Sequence, residues 1–254
     1  MLFRPTNPLS HRLARISFIL ACVGALCVAS SGPLYRYAGI ELDAAINVFR
    51  YGFYVAAAGI ALGLATIVPT RPGDRRRGFL AALLGIVIGL GAVAMPLMWF
   101  LDARSSPLIN DVTTDTANPP PLVVTLQLRR DAVTPPGYSK DFAPLQKAAY
   151  PDIQTIVLKL PPAEAFKRAD KIAMDMGWDV VARAPSDGKS DARLEAVATS
   201  LWFGFRDDIA IRIRPDGTGS KVDIRSKSRV GRSDLGVNAR RIREFIAKLM
   251  AEGS

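Results

Sequence analysis

The densest set of chemistry-bearing side chains lies in one run, Arg225-Ser-Lys-Ser-Arg-Val-Gly-Arg-Ser-Asp-Leu-Gly-Val-Asn-Ala-Arg-Arg241. It joins what reads as the last strand to what reads as the last helix. Gly231 permits a tight turn there, and Ser233 or Asp234 can cap the helix that follows. A helix N-terminus beside the guanidinium groups of Arg225, Arg229 and Arg232 has the makings of an anion site, because unbonded N–H groups and planar cationic forks both suit phosphate or carboxylate. Asn238 and Arg241, one and two turns into the helix, can face the same spot. Against this stands a second reading of the same residues. The arginines can instead pair with Asp207, Asp208 or Asp115 in an internal lattice of ion pairs. The run Asn110-Asp-Val-Thr-Thr-Asp-Thr-Ala-Asn-Pro-Pro120 is equally two-sided. Thr113, Thr114, Asp115 and Asn118 either lend ligands to the arginines or cap turns of their own backbone.

Several chemistries are excluded by what is missing. The single histidine is His11, and the two cysteines, Cys22 and Cys27, lie in the first apolar stretch. The C-terminal half therefore holds no Ser-His-Asp or Cys-His triad and no nitrogen–sulfur zinc site. A metal would need oxygen ligands such as Asp207, Asp208 and Asp234. The surrounding arginines favour salt-bridging those acids instead, so no metal and no cofactor is expected. Any catalysis would rest on carboxylates and arginines, for instance a hydrolase acting on a phosphoester.

The elements that must position these residues follow from periodicity. Thr155 to Leu160 alternates as a strand. Pro161 or Pro162 opens a helix with Ala165, Phe166, Ala169, Ile172, Ala173 and Met176 on one stripe, stopped by Gly177. Trp178 to Arg183 and Arg193 to Thr199 read as strands on either side of a turn at Pro185-Ser-Asp-Gly188. Arg206 to Arg214 puts Ile209, Ile211 and Ile213 inward. A hairpin turn at Asp216-Gly217 leads to Lys221 to Arg229. Leu235 to about Met250 forms the last helix. The order β-α-β-β-β-β-α predicts an α+β two-layer domain, an antiparallel five-stranded sheet with both helices on one face. That order resembles the TATA-binding-protein-like topology, which implies no function. Lys221, Asp223, Arg225, Lys227 and Arg229 then share the face away from the helices with Asp208, Arg212 and Arg214 and with Arg193 and Glu195 of the next strand, and read as a solvated, charge-laced sheet surface. Trp202-Phe-Gly-Phe205 reads as core or sheet-edge packing, or as a loop dipping into a membrane surface.

Residues 1–101 differ from the rest. The 254-residue chain carries a net charge of +10 and a pI near 9.9. Residues 1–101 hold 9 Arg, no Lys and 3 acids, which leaves 24 basic and 20 acidic residues for 102–254. The basic excess belongs largely to the apolar half, which weakens any nucleic-acid reading. Leu13 to Ser31, Ile46 to Val68 and Phe79 to Leu101 each have the length of a transmembrane helix. The basic N-terminal tail, the balanced loop with Arg36, Glu41 and Asp43, and the loop with Arg71, Arg75, Arg76 and Arg77 predict in, out, in, with residues 102–254 outside the cytoplasm. A cleaved signal peptide is the alternative for the first span, and it leaves the soluble half on the same side. Gly59-Ile-Ala-Leu-Gly63 and Gly85-Ile-Val-Ile-Gly89 are close-packing motifs, within one bundle or at a dimer interface. No acid, Lys or His lies inside the spans to support transport. Asp102 to Tyr150, with seven prolines, reads as an extended approach to a domain at 151–254, with a short strand at Val123 to Leu128.

Thr114-Asp-Thr-Ala-Asn-Pro-Pro120, Tyr150-Pro151, Gly177-Trp178, Gly204-Phe-Arg-Asp-Asp-Ile209 and the run from Arg225 to Ile242 together resemble the bacterial family of domain of unknown function 1499, over about residues 108–250. The resemblance implies a bacterial inner-membrane protein with a tethered domain, and it implies no activity, substrate or cofactor. The expectation is a non-catalytic envelope protein that binds an anionic lipid, a polyanion or an acidic protein partner, and no nucleic acid.

Overall fold

The computed structural model describes residues 8–70, 77–186 and 190–251. Most of the arginine-rich loop and the tip of the expected turn at Pro185-Ser-Asp-Gly188 therefore lie outside the described residues. The chain divides into two compact units, Met1–Leu101 with Trp202–Gly204, and Asp102–Leu201 with Phe205–Ser254.

The first unit contains α1 (Pro8–Ala38), α2 (Leu42–Ile67) and, up to Leu101, α3 (Arg77–Ser105). They run 31, 26 and 29 residues. At ~1.5 Å per residue each exceeds the ~30 Å hydrocarbon core of a bilayer. All three are long and apolar enough to cross a membrane, and the chain is membrane-associated through them. Small residues let the helices meet. A Cβ built on Gly59 of α2 would lie 2.8 Å from the Ala21 amide nitrogen of α1, and one on Gly85 of α3 would lie 2.5 Å from Ser17 Oγ. Ser17 Oγ donates to the Gly59 carbonyl at 2.7 Å. The two close-packing motifs thus work inside the bundle. The Phe203 ring groups with this unit, 5.7 Å from Trp99 and 6.2 Å from Phe49, rather than in the core of the sheet.

The second unit is the α+β layer. Its sheet runs β1 (Asp111–Thr113), β6 (Gly219–Ser228), β5 (Arg206–Asp216), β4 (Ala192–Thr199), β3 (Asp179–Ala184), with β2 (Ile156–Leu158) pairing β6 beside β1. Every pairing is antiparallel. Ile209, Ile211, Ile213, Val222 and Ile224 point to one face and are wholly buried. There they meet α6 (Pro162–Asp175) and α7 (Val237–Ala251) through Ala165, Ala169, Ile172, Ile242, Phe245 and Leu249. Gly177, at φ +72°, ends α6. Its N–H bonds to the Met174 carbonyl and the Trp178 N–H to the Ala173 carbonyl, the paired bonds of a left-handed helix stop.

Residues 111–150 depart from the sequence expectation. Asp111–Thr113 forms a sixth strand on β6. Val123 to Leu128 is not a strand but contains a helical turn, α4 (Val124–Gln127), and α5 (Phe142–Ala149) follows. The alternating pattern at 123–128 loses to a tertiary contact. Glu195 Oε2 on β4 accepts the N–H groups of Val123 and Thr125, both at 2.9 Å, and the Thr125 hydroxyl at 2.8 Å. A carboxylate so placed caps a helix N-terminus. The segment from Asp102 onward is part of the same compact unit as the sheet. It packs over the sheet's second face, so the charged surface expected to face solvent is buried.

Candidate functional site

Strand alternation decides where each charged residue goes. On β5, Asp207 faces α7 and Asp208 faces the covering segment. On β6, Ser226 and Ser228 face α7, while Asp223, Arg225 and Lys227 face the cover, with Arg229 just beyond the strand. The polar residues therefore fall into separate networks on the two sides of one sheet.

On the covered side three wholly buried carboxylates, Asp111, Asp208 and Asp223, each hold two cations. Arg225 grips Asp111 with Nε at 2.9 Å and Nη2 at 2.7 Å, and Lys227 Nζ joins at 2.9 Å. The remaining donors of Arg225 and Lys227 reach the carbonyls of Pro120, Pro136 and Gly137 at 3.2–3.3 Å. Burial lowers the Lys227 pKa against the pull of Asp111. Tyr138, whose ring lies 5.7 Å from Arg225 Cζ, is pushed up to about 12 by burial and by the Asp111 charge.

Asp208 is held by Arg229 through Nε at 3.0 Å and Nη2 at 2.7 Å, and by Arg129 Nη1. Arg229 Nη1 also donates to the Leu128 carbonyl and to Asp131, both at 2.8 Å. Arg129 Nη2 reaches Thr134 Oγ1 at 2.8 Å.

Asp223 accepts from Arg212 at 2.9 Å and Arg214 at 2.7 Å on one oxygen, and from Thr155 at 2.6 Å and Thr114 at 3.3 Å on the other. Arg212 also reaches Asp115 at 3.0 Å and the Asn118 carbonyl at 2.9 Å. Burial raises the Asp223 pKa. The bonds from Thr155 and Arg212 and the two guanidinium charges outweigh it, so the carboxyl ends below its ordinary value.

On the helix side, Asn238 is wholly buried. Its Oδ1 accepts from Ser226 Oγ and from Arg241 Nη1, both at 2.6 Å, and its Nδ2 donates to Ser228 Oγ at 3.0 Å. Arg241 Nη2 closes on Asp207 at 2.7 Å. Asp234 is the helix cap. Its two oxygens take the N–H groups of Gly236 and Asn238 at 2.9 and 2.8 Å. Burial holds this carboxyl above its usual range although those two bonds favour the ionised form. Leu235 and Gly236 adopt φ +53° and +74°, which lets the chain turn under the cap. Ser233 Oγ accepts the Leu235 N–H and donates to the Pro107 carbonyl, both at 3.2 Å.

The structure thus gathers Arg225, Arg229, Asp208, Thr114 and Asp115 on the covered side. It places Asp207, Ser233, Asp234, Asn238 and Arg241 on the other side or at the cap. Arg232 alone of the expected site arginines is exposed, and among the described residues it has no ion pair. Asp207 and Asp208 point to opposite faces, and among the described residues no three carboxylates, histidines or cysteines converge as metal ligands. Sequence reasoning missed Asp111, Arg129 and Asp131, and it placed Glu195 on the charged face without its role as a cap. The available signal was charge balance, since the covering segment carries acids opposite a basic strand.

No curated protein matches the chain. A family model described as Protein of unknown function (DUF1499) matches residues 111–249, from the first strand of the sheet to the last turns of α7. The match spans more than half of the chain and takes in the covering segment together with the sheet and helices it closes, so the chain belongs to the DUF1499 family.

Proposed function

We propose that this chain is a non-catalytic envelope protein, with its α+β unit outside the cytoplasm, that takes an anionic group at the strand-to-helix turn through Arg232. The observation that carries the reading is how that turn is tethered. Asp234 N–H bonds to the Ile109 carbonyl at 3.1 Å and Ser233 Oγ to the Pro107 carbonyl at 3.2 Å. Pro107 and Ile109 lie two and four residues past Ser105, the end of α3, a backbone reach of at most ~14 Å. That tether keeps the turn within a short backbone reach of residue 105, which supports Arg232 as the residue that meets an anionic group. A basic residue near an anionic surface is worth ~1 kcal/mol.

A non-catalytic role is supported by accessibility. Hydrolysis of a phosphoester needs a carboxylate that can meet substrate, and Asp111, Asp208 and Asp223 are wholly buried and each already holds two cations. The placement outside the cytoplasm is supported by Arg4, Arg12 and Arg15 ahead of the first span and the arginine cluster between the second and third.

The test uses the full chain in nanodiscs. Hydrogen exchange over Gly231–Asn238 is compared in phosphatidylglycerol discs, in zwitterionic discs, and in zwitterionic discs with soluble polyphosphate. Slower exchange in the first alone assigns a lipid headgroup, and slower exchange in the third assigns a polyanion. Equal exchange in all three, or an effect that survives Arg232→Gln, refutes the site. A reporter fused after Ser254 that is active only in the cytosol refutes the compartment.

A further inference from the structure

The first unit holds a cleft that the reading above does not use. Its walls are Phe49, Phe53 and Tyr54 of α2 and Pro96, Leu97 and Phe100 of α3, and Arg50 stands on its rim. Its volume is about 460 Å³, inside the range of about 300–1,000 Å³ seen for small-molecule clefts. The walls are almost wholly hydrocarbon. Pro96 lies inside α3. It has no N–H for the Ala92 carbonyl, so α3 lacks one backbone hydrogen bond at this point.

Arg50 is the chemical anomaly of this surface. It sits eight residues into α2, ~12 Å along the helix axis from Leu42. α2 is longer than the hydrocarbon core, so that depth falls inside the apolar layer while a long arginine side chain can still reach the phosphate level. Its Nη2 donates to Asn47 Oδ1 at 2.8 Å, and its Cζ lies 5.4 Å from the Tyr51 ring centroid. Both partners are neutral. Among the described residues no carboxylate pairs with it, whereas Arg212, Arg225, Arg229 and Arg241 all have one. An ionisable side chain at membrane depth needs a counter-charge or water. Here one end of the cleft offers an uncompensated guanidinium and the rest offers only aromatic and aliphatic surface.

We propose that this cleft holds an acyl chain of an anionic phospholipid whose phosphate is bound by the Arg50 guanidinium. Phe49, Phe53, Phe100 and Leu97 pack the chain, and Arg50 orients the headgroup in the leaflet where α2 begins and α3 ends. The site is independent of Arg232 and of the side of the membrane on which the α+β unit lies.

Native mass spectrometry of the full-length protein, released from micelles containing equal phosphatidylglycerol and phosphatidylethanolamine, tests both parts. The wild type is expected to retain one phosphatidylglycerol in preference to phosphatidylethanolamine. Arg50→Gln should reduce that preference about fivefold, the effect of one basic residue at an anionic surface. Leu97→Trp, which fills the cleft and leaves Arg50 in place, should remove the retained lipid. Circular dichroism of both variants confirms that the helices remain. An unchanged preference in Arg50→Gln overturns the headgroup contact. Undiminished retention in Leu97→Trp, or no retained lipid in the wild type, overturns the site. Arg232→Gln should leave all of these measurements unchanged, so failure here and failure at Arg232 are separable.

Discussion

Replacing Asp208 with Asn should cost more stability than any surface charge change in the chain. The substitution keeps the size of the side chain and removes its charge. Asp208 is 0% exposed and accepts from Arg229 Nε, Arg229 Nη2 and Arg129 Nη1. Without it, Arg129 retains only Thr134, and Arg229 retains the Leu128 carbonyl and Asp131, whose side chain is 50% exposed. Removing one partner of a buried pair costs ~3–5 kcal/mol, because the remaining charge is left uncompensated. Arg129 is left without any carboxylate and Arg229 with only a half-exposed one, so the upper part of that range is expected. A whole domain is stable by only ~5–15 kcal/mol. The assay is a urea titration of the full-length protein in detergent, with Trp99 and Trp202 changed to Phe so that Trp178, stacked 5.8 Å from Phe245, reports the unfolding. Asp152→Asn serves as the reference. Its pair with Arg243 has side chains 53% and 41% exposed, and such pairs contribute ~0–1 kcal/mol. The apolar triple variant Arg129→Met, Asp208→Leu, Arg229→Met should recover most of the loss, since it strands no charge. A loss below ~1 kcal/mol for Asp208→Asn, no larger than for Asp152→Asn, would refute the claim that the lattice is closed on itself.

Two further outcomes follow from the same geometry. Gly59→Val puts a branched side chain where even a Cβ comes within 2.8 Å of the Ala21 backbone; it should separate α1 from α2, read as loss of disulfide trapping between cysteines placed at Ser17 and Gly63, and unchanged trapping would refute the packing. Asp223, whose folded pKa is depressed, adds stability that is complete above the ordinary carboxyl range and is lost as pH falls through the lower folded value; Asp223→Asn should flatten that acid limb of the urea stability curve, and an acid limb as steep as that of the wild type would refute the assignment.

The hydrophobic face of the α+β unit was legible because two periods agreed. Ile209, Ile211 and Ile213 alternate, and Ala165, Ala169 and Ile172 recur at helical spacing, so strand, helix and their contact followed from spacing alone. The opposite face was not legible. Asp208, Arg212, Asp223 and Arg225 alternate as they would on a solvated surface, and alternation reports which residues share a side without reporting what covers it. The covering segment carries no periodic signal of its own. Its α4 turn exists because Glu195, some seventy residues away, accepts the N–H groups at its start. The arginines at the junction were legible as a group, but the sheet running between them splits that group in two.

A lattice of this kind constrains the fold beyond its net energy. Each buried carboxylate joins a strand to the cover or to its neighbour. Asp111 binds Arg225 and Lys227 across the β1–β6 pair, Asp208 binds Arg129 of the cover, and Asp223 binds Arg212 and Arg214 across β5–β6. A one-residue slip of β6 would carry Asp223, Arg225 and Lys227 into the core beneath α6 and α7 and turn Val222 and Ile224 out. Hydrophobic pattern alone resists that slip on one face, and the ion pairs resist it on the other. Such a sheet has little freedom to open at the covered face for a ligand, because every donor moved would leave a buried charge. Exposed cations outside the lattice, such as Arg232 at the tethered turn and Arg50 on the bundle, carry no such constraint, and among the described residues no carboxylate pairs with either.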